Sequence, residues 1–477
     1  MSRKRIFLLV VFVFFLTVCV VTPIAGSEEV KKQEAGDEKK EEKKEEKQDV
    51  KTEVTVDVEK INLDEKSKEK LKYFEQIQSL VKEINNRQGD KCWGNIFRRR
   101  AARLLKKAAG LSTETLQKEY LEALSADIKS NDFSASAAKW LEQTDHKLDI
   151  IIKPGPGKKT KKLDTFILLK HEEYSKVAEK YISVMDKMLG KVPLREDLVP
   201  FDASLISPIL VLDVVSPLKM NQFMLVFPDN SVKTGTNKFK ILIFRNILET
   251  YFNEFIKPLS LQIFTKKQAE LVDFNSYLTN LLLRRLSHYF GPIFLEQESD
   301  RVVLIKDKLK DLFYYIEEIR VETTVIYSIQ VLIDDKLLSE DQDKNIYATY
   351  LVSLFNRISA GPKSKTGIAA TIQFNQHLKS GVVTFDLNSK KLKMDKKQME
   401  KSTKRLVMSA IQVEKTGNFE EAERLIKGSL ASPSDELKEL YKNLKKNKKP
   451  RKVRKAKKKK SAQDKEKKQE EEKESND

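Results

Sequence analysis

The sequence predicts an α+β fold that is mainly α, and three observations support this prediction. Apolar residues recur at helical spacing through most of residues 73–444, as in the amphipathic segment 171–189. Strand-like runs are few and short, and turn signals such as the Pro-Gly-Pro-Gly run at 154–157 end them. The 24 Phe and 13 Tyr residues are enough to form a large hydrophobic core. We therefore expect helices with a small β element in the first half.

The order of the elements follows from the same periodicities. Strand-like runs occupy 147–153, 209–215 and 223–227, where aliphatic residues cluster between turn-forming residues. Helical spacing marks the remaining segments. The predicted helices span residues 104–124, 134–141, 171–189, 239–256, 272–290, 306–336, 344–358 and 394–416.

Length and composition exclude several classes of protein. The chain has 477 residues, of which 34% are charged and 40% are hydrophobic, and it has two cysteines. These values exclude a polytopic membrane protein, a disulfide-stapled mini-protein and collagen. The formal charge of +19 comes mostly from residues 442–460, which contain thirteen Lys or Arg residues and no acid. The rest of the chain carries about +6, so its charges are nearly balanced.

The N-terminus has the pattern of a secretory signal peptide. A basic start precedes a 16-residue apolar stretch, residues 6–21, and small residues follow it up to Gly26. A single membrane anchor is the alternative, but the stretch is short of the roughly 20 residues that span a bilayer. We therefore predict cleavage after residues 1–26, a secreted, extracellular protein or one of the secretory-pathway lumen, and no integral membrane segment in the mature chain.

Signal cleavage would leave Cys92 as the only cysteine, which excludes an intramolecular disulfide. Two alternatives remain for this thiol, a buried position or a disulfide with another chain, and we favour the buried position. The segment Phe97–Lys107, FRRRAARLLKK, also has two interpretations. In the first, its Ala and Leu residues face the core and its arginines face solvent. In the second, the segment is a helix that lies on a membrane surface. We favour the first interpretation.

Both ends of the mature chain have the composition of disordered segments. Residues 27–72 are rich in Glu and Lys and poor in large apolar residues, so we expect disorder or a transient charged helix there, and the tail 445–477 is basic and then of mixed charge. The tail offers a binding site for an acidic polysaccharide, a mineral surface or another polyanion, or it serves solubility alone. No aromatics alternate with its lysines, which disfavours single-stranded nucleic acid. The candidate polyanion-binding residues are Lys452, Arg454, Lys455, Lys457, Lys458, Lys459 and Lys460.

Three ordered segments resemble one family of peptidases. They are LLLRRLSHYFGP (281–292), YYIEEIRVETTVIY (314–327) and IQFNQHLKSGVVTFD (372–386). The first resembles the zinc-binding helix of the dipeptidyl peptidase III family, above all its shorter bacterial members, and the second resembles that family's downstream helix. Segments 145–156 and 224–259 are also similar to the family. The resemblance implies a two-lobed zincin-like peptidase fold over 73–444, in which a helical lobe and a smaller mixed α/β lobe enclose a peptide cleft.

The resemblance also assigns family roles to single positions. The first zinc-binding His of the family falls on Arg284, and the general-base Glu falls on Arg285. The second His is His288, the third ligand is Glu318, and Glu322 matches a further acidic position. Arginine stays protonated at any working pH, so it neither donates a lone pair to zinc nor accepts a proton.

We therefore expect zinc, the cofactor of the family, to be lost here, and catalysis by the family mechanism with it. The late histidine of the family falls on Thr366, which agrees with that expectation. The i, i+4 spacings suggest a replacement for the metal: an ion pair between Arg284 or Arg285 and Glu318 would join the two helices. The alternative is that both arginines are surface residues.

These observations favour a secreted pseudoenzyme that acts as a binding or extracellular-matrix component, with a peptide in the cleft as one partner. An active metallopeptidase with a rebuilt metal site is an alternative, and so is a polyanion-binding protein that acts through its Lys-rich tail. The sequence shows no Ser/His/Asp or Cys/His arrangement that would support a different hydrolase.

Overall fold

The computed structural model describes residues 53–54, 62–87, 90–142, 146–155, 162–197, 208–216, 218–219, 222–228, 232, 234, 238–289, 291, 294–295 and 303–447. The predicted signal peptide, residues 1–26, lies outside the described residues. The seven candidate polyanion-binding residues between 452 and 460 also lie outside them. Both interpretations therefore remain predictions.

The first half of the fold begins with four helices packed in succession. They are α1 (Glu65–Asn86), α2 (Lys91–Leu111), α3 (Thr115–Ser130) and α4 (Ser134–Glu142). Helix α1 begins within the segment predicted to be disordered, so that prediction is wrong for residues 65–72. The side chain of Asp64 accepts a hydrogen bond from the backbone N–H of Ser67 at 2.7 Å and caps the helix. Leu71 is buried one turn later, and the neighbouring Lys70 is also buried, where its ammonium group donates to the side-chain oxygen of Gln117 at 2.6 Å.

Helix α2 agrees with the favoured interpretation of the FRRRAARLLKK segment. Ala101, Leu105 and Ala108 are fully buried, whereas Arg99 and Arg100 are exposed. The apolar side of the helix is therefore part of the core and is not free to enter a membrane. The prediction for Cys92 is wrong, because this free thiol is exposed in the first turn of α2.

A five-stranded mixed sheet forms the centre of the first lobe. Its strands lie in the order β2-β3-β4-β7-β6, and the β4–β7 pair is parallel while the other pairs are antiparallel. Helix α5 (Glu172–Lys191) packs on β4. The strands are β2 (Leu148–Pro154), β3 (Leu163–Lys170), β4 (Ile209–Val214), β6 (Met224–Phe227) and β7 (Lys240–Phe244), and the separate two-residue pair consists of β1 (Glu53–Val54) and β5 (Leu218–Lys219).

Two strands of this sheet differ from the sequence prediction. Strand β3 was not predicted, and β7 lies in the segment 239–256 that was predicted to be one helix. All five residues of β7 are buried because the strand lies between β4 and β6. A strand buried on both faces reads as a continuous apolar run, which periodicity cannot distinguish from a buried helix. The predicted helix is thus shortened to α6 (Arg245–Tyr251), which a π-helical turn, Phe252–Ile256, extends.

The second lobe is helical. Most of its predicted helices are present, with changed bounds. The helices of this half are α7 (Lys257–Ile263), α8 (Lys266–Ala269), α9 (Phe274–Ser287), α10 (Ile305–Leu309), α11 (Phe313–Tyr327), α12 (Gln330–Asp334), α13 (Gln342–Ala360), α14 (Lys365–Lys379), α15 (Met399–Thr416), α16 (Phe419–Lys427) and α17 (Asp435–Asn447). Two short antiparallel pairs accompany them, β8 (Phe294–Leu295) with β9 (Val303–Leu304), and β10 (Val383–Asp386) with β11 (Lys391–Met394).

Two predicted helices are broken in the structure. The segment 306–336 forms three helices, because the chain turns at Lys310, which has a φ of 51°, and again at Ser328. The segment 394–416 begins with the end of β11, and its helix starts only at Met399. Apolar residues continue through both breaks, so their spacing does not mark where the helices end.

Hydrophobic packing joins the two lobes. One core extends from the sheet into α9 and α13, and a smaller core packs α10, α11, α14, α15 and α16 against one another. The hydroxyl groups of Tyr181 and Thr279 lie 2.9 Å apart, in buried positions of α5 and α9. The ammonium group of Lys187 donates to Asp335 at 2.7 and 2.8 Å on the surface. In the described part of the chain, no helix has the length and hydropathy needed to span a membrane.

Candidate functional site

The last turn of α9 carries three of the candidate residues. The helix starts at Asp273, whose side chain accepts a hydrogen bond from the backbone N–H of Ser276 at 2.9 Å. Arg284 and Arg285 lie in its final turn, and His288 is the residue after its last helical position. All three are less than 10% exposed. The interpretation of the arginines as surface residues is therefore wrong.

Arg284 of α9 pairs with the carboxylates of α11. Its guanidinium group donates a hydrogen bond to Glu318, and its Nε atom lies 3.2 Å from Oε1 of Glu322. Glu318 and Glu322 are buried and are four residues apart, so both face α9 from one side of α11. The predicted ion pair between the two helices is thus confirmed for Arg284. Arg285 is also buried, and it has interaction partners of its own.

A third helix adds a second arginine to these carboxylates. The guanidinium group of Arg357, in α13, donates to both oxygens of Glu322, with Nη2 at 2.8 Å from Oε2. Its Nη1 atom also lies 4.0 Å from Glu318. The side-chain amide of Gln373, in α14, donates to Oε2 of Glu322 at 2.9 Å. Glu322 therefore binds residues of three neighbouring helices.

On the same helix, α11, a second group of buried charges surrounds Arg320. Its Nε atom lies 2.7 Å from Glu414 of α15, and its Nη2 atom lies 3.9 Å from Glu317. Its Nη1 atom donates to the carbonyl oxygen of Ser287 at 3.2 Å. The Nδ1 atom of His288 lies 3.0 Å from Oε1 of Glu317. His288 is thus held by a carboxylate that does not belong to the predicted ligand set.

The buried charges of this region are balanced. Four guanidinium groups and four carboxylates lie there, and their charges cancel when every carboxylate is ionised. We call these eight residues the Arg–Glu network. Its members are Arg284, Arg285, Arg320, Arg357, Glu317, Glu318, Glu322 and Glu414, and each is at most 9% exposed.

The ion pairs fix the charge of the central residues. Burial alone would lower the pKa of Arg284, but Glu318 and Glu322 raise it above its ordinary value. Burial would raise the pKa of Glu322, but Arg357 and Arg284 lower it below its ordinary value. Burial, together with the positive charges of Arg284 and Arg285, holds the pKa of His288 well below its ordinary value. The imidazole is therefore neutral at neutral pH, whereas Arg284 and Glu322 are charged.

The carboxylates around Arg320 titrate closer to neutral pH. Burial raises the pKa of Glu317 to about 7 and that of Glu414 to about 7, although Arg320 opposes both shifts. Protonation of either group leaves one guanidinium charge without a balancing carboxylate. The network therefore becomes positive as the pH falls below 7.

A chain of buried hydrogen bonds leads from Glu322 to α15. The hydroxyl group of Tyr350 donates to the side-chain oxygen of Gln373 at 2.8 Å and lies 3.0 Å from Nε2 of His377. The Nδ1 atom of His377 lies 2.9 Å from the hydroxyl oxygen of Ser402. Burial lowers the pKa of His377 to about 3, so this ring is neutral. With one N–H, His377 donates to one neighbour and accepts from the other, which fixes the direction of every hydrogen bond in the chain.

Thr366 does not contact this network. It lies in the first turn of α14, 3.4 Å from the hydroxyl oxygen of Ser364, which caps that helix. Gln373, which does bind Glu322, is seven residues farther along α14, or about 10 Å at 1.5 Å per residue. The structure therefore brings together Arg284, Glu318 and Glu322 and leaves Thr366 outside.

A cavity of about 60 Å³ borders the network between α9, α11 and α13. Arg284, Glu322 and Arg357 form its charged wall. Apolar, amide and hydroxyl-bearing side chains of the same helices, together with Ile256 of the π-helical turn, form the rest of its lining. Those further lining residues are Ile256, Tyr277, Asn280, Leu281, Val325, Ile326, Tyr350, Ser353 and Asn356.

The residues present do not fit a zinc ion. Structural and catalytic zinc sites need three or four side-chain lone pairs on one ion. Arg284 has none to donate, and its guanidinium group binds the carboxylate of Glu318, one of the two candidate ligands that remain. Within the described ranges, no group of three or more His, Cys, Asp or Glu side chains is arranged to hold a metal ion.

Five residues of the site were not predicted from the sequence: Glu317, Arg320, Arg357, Gln373 and Glu414. Each lies in a different segment or on a different helix face from the motif residues, so spacing does not link them to Arg284. A weaker signal exists for Glu414, which follows Ala410 by four residues and Val407 by seven. That spacing places a carboxylate on the apolar face of α15, where a buried charge needs a partner.

The comparison with known protein sequences finds a partial match. No protein-family model matches the chain. Nudix hydrolase 3 of Arabidopsis thaliana is 23% identical over 304 residues, which are 61% of this chain and 39% of that protein. The chain thus spans about two fifths of the length of this relative, and the activity in its name is not transferred.

Two solved structures of dipeptidyl peptidase III are similar to the chain. The protein from Caldithrix abyssi has a TM-score of 0.66 and 23% identity, and the match covers 73% of this chain and 68% of that one. The protein from Corallococcus sp. strain EGB has a TM-score of 0.57 and 21% identity, with 73% and 66% covered. At these identities the similarity establishes the fold alone. The chain therefore has a mainly α-helical, two-lobed fold like that of dipeptidyl peptidase III.

Proposed function

We propose that this chain is a catalytically inactive, dipeptidyl peptidase III-like protein that acts by binding. The observation that supports this proposal is the Arg–Glu network, in which Arg284 bridges Glu318 and Glu322 at the positions that correspond to the metal site of the family. The network gives the two helices a cross-link that needs no metal. It also fills the space beside Glu318 with a cation.

The charge of the network opposes metal binding. Four buried guanidinium groups balance four carboxylates when all four are ionised, so even then a divalent cation would leave two buried positive charges without partners. Freeing Glu318 for a metal would also leave Arg284 with one carboxylate fewer, and breaking a buried pair costs about 3–5 kcal/mol. Zinc binding would have to offset both the unpartnered positive charge and the broken ion pair, with fewer ligands than structural or catalytic zinc sites provide.

The proton chemistry of the family mechanism lacks its base. Arg285 occupies the general-base position, and a guanidinium group cannot accept a proton from water. Of the nearby carboxylates, Glu318 and Glu322 are bound to Arg284, and Glu322 also to Arg357 and Gln373. The alternative proposal, an active metallopeptidase with a rebuilt metal site, requires ligands other than these.

The proposed setting is extracellular. The sequence pattern of a signal peptide supports secretion, and the Lys- and Glu-rich ends suit a component of an extracellular matrix. A peptide is the proposed partner of the cleft between the lobes. The Lys-rich tail is a second proposed site, for an acidic polysaccharide, a mineral surface or another polyanion.

The direct test is the zinc content of the purified protein from residue 27 to residue 477, measured with hydrolysis of an arylamide dipeptide. We expect far less than one zinc per chain and no turnover above the buffer rate. Stoichiometric zinc with chelator-sensitive turnover would establish the metallopeptidase alternative.

The variant Glu318→Gln separates the two alternatives further. If Glu318 only pairs with Arg284, this variant lowers the melting temperature and leaves the zinc content unchanged. If Glu318 is a ligand, the variant loses zinc and activity together. The exposed pair partner Glu439, changed to Gln, serves as the control for a general effect of losing one carboxylate.

A further inference from the structure

Helix α2 carries charge of one sign only. Its 21 residues contain seven Lys or Arg and no Asp or Glu. Five of these basic residues are exposed, and we call them the basic face. They are Arg99, Arg100, Arg103, Lys106 and Lys107.

The five residues share one side of the helix. At about 100° per residue, they fall within an arc of roughly 120°, opposite the buried Ala101, Leu105 and Ala108. From Arg99 to Lys107 the side chains extend about 12 Å along the helix axis. The basic face is therefore a linear array of cations on a rigid element.

Nearby acids do not neutralise this array. Within the part of the chain that the structure describes, none of the five side chains has an ion pair within 4.0 Å, and the closest aromatic contact places Lys107 5.9 Å from the ring of Tyr73. Some other surface cations are paired, as Lys139 is with Glu119 at 2.8 Å and Lys427 with Glu423 at 2.6 Å. Like charges at i, i+4, such as Arg99 with Arg103, destabilise an isolated helix. Folding alone therefore does not explain the basic face.

The structure distinguishes among anionic partners. A membrane-surface helix must insert its apolar side, but that side of α2 is packed against α1 and α3. Single-stranded nucleic acid needs aromatics among the cations, and none lies between residue 99 and residue 107. Arginine suits carboxylate and sulfate groups, because its planar guanidinium group donates two parallel hydrogen bonds.

We propose that the basic face of α2 binds a linear acidic polysaccharide that carries sulfate or carboxylate groups. Trp93 supports this assignment as a neighbouring contact for a sugar ring. It is 46% exposed and precedes Arg100 by seven residues, two helical turns, so it continues the same edge of the helix. This inference concerns a different surface from the Arg–Glu network and does not depend on the proposed loss of catalysis.

The test uses heparin as the probe and the full mature chain with the ten Lys and Arg residues of 448–460 changed to Gln. This background removes the tail as a competing site. One variant removes the basic face, and a matched control removes five exposed cations from the helical lobe. The two variants are R99Q/R100Q/R103Q/K106Q/K107Q and K308Q/K397Q/K401Q/K404Q/R405Q.

We expect loss of the basic face to raise the dissociation constant for heparin at least about tenfold at 0.15 M salt and to flatten its salt dependence, since fewer counterions are released. The control should change the constant less than about twofold. Titration with heparin should also change the fluorescence of exposed Trp93, and Trp93→Phe should remove that signal, since Trp140 is buried.

Equal losses in both variants would overturn the proposal, because binding would then follow net charge alone. No loss in either variant would overturn it as well. Tighter binding of duplex DNA or of anionic lipid vesicles than of heparin, lost with the same five residues, would assign the face to a different partner. Circular dichroism of both variants shows whether each remains folded. If the variant with all five substitutions does not fold, the single substitution Arg103→Gln provides a milder test.

Discussion

Two groups of buried charges, one in each lobe, use different cations. In the helical lobe, guanidinium groups bind carboxylates directly, as Arg357 binds Glu322 at 2.8 Å. In the sheet lobe, Asp149 accepts from the indole N–H of Trp140 at 2.9 Å, and the ammonium group of Lys240 donates to the carbonyl oxygen of Trp140 at 3.1 Å. The first group consists of ion pairs, whereas the hydrogen bonds of the second run to neutral groups.

The difference decides how each group responds to pH. Burial raises the pKa of Asp149 to about 7 and lowers that of Lys240 to about 8. Both residues can therefore become neutral by exchanging protons near physiological pH. Arg284 and Arg357 cannot do so, because a guanidinium group stays protonated. Arg357 and Arg284 also hold the pKa of Glu322 below its ordinary value, so the ion pairs around Glu322 keep their charges in the pH range in which Asp149 and Lys240 titrate.

The largest expected effect is the loss of Glu322. Glu322→Gln leaves Arg357 without its carboxylate and Arg284 with only Glu318, so we expect the free energy of unfolding to fall by about 3–5 kcal/mol. Chemical denaturation at pH 7 measures this change. Glu439→Gln, which breaks an exposed pair with Lys390, should cost less than about 1 kcal/mol. Similar small losses for both variants would show that the buried pair is not a cross-link.

The second effect is a dependence on pH. The folded state binds the proton of Asp149 more tightly than the unfolded state does, so this group's contribution to stability is present below about pH 4 and is lost as the pH rises towards 7. Asp149→Asn removes the titration. The free energy of unfolding of the Asp149→Asn variant minus that of the parent should therefore rise from pH 5 to pH 7, by on the order of 1 kcal/mol per pH unit.

The opposite slope, or none, would contradict this explanation. Glu322→Gln provides the contrast, since the pKa of Glu322 is lowered by Arg357 and Arg284. In the parent protein, the contribution of Glu322 to stability is present above the ordinary pKa of a glutamate and is lost only as the pH falls below that value. The deficit of this variant should stay constant over the same range, so the two variants should give visibly different pH profiles.

The smallest expected effect concerns the surface pair that joins the lobes. Lys187 and Asp335 are separated by 2.7 Å, and the Lys187 side chain is 63% exposed. Asp335→Asn should lower the free energy of unfolding by less than about 1 kcal/mol, and added salt should remove most of the difference. A larger loss that persists in high salt would mean that this pair, rather than buried packing, holds the lobes together.

The sequence predicted some members of the Arg–Glu network and missed others. The resemblance indicates Arg284, Glu318 and Glu322 and implies that their two helices face each other, and helical spacing places Glu318 and Glu322 on one face. Arg357 and Glu414 could not be found in this way, since only the tertiary fold brings α13 and α15 to α11. The sheet shows the same limit: β7 reads as helix because a doubly buried strand has no alternation.

The most direct test of the Arg–Glu network is a double-mutant cycle between Arg284 and Glu318. The free energies of unfolding of the parent, Arg284→Met, Glu318→Gln and the double variant give the coupling energy of the pair. We predict a favourable coupling of at least about 1 kcal/mol, in protein with and without a chelator, because the two side chains bind each other directly in a buried position. A coupling near zero, or one that changes when the chelator is added, would contradict the idea that Arg284 takes the place of the metal between the two helices.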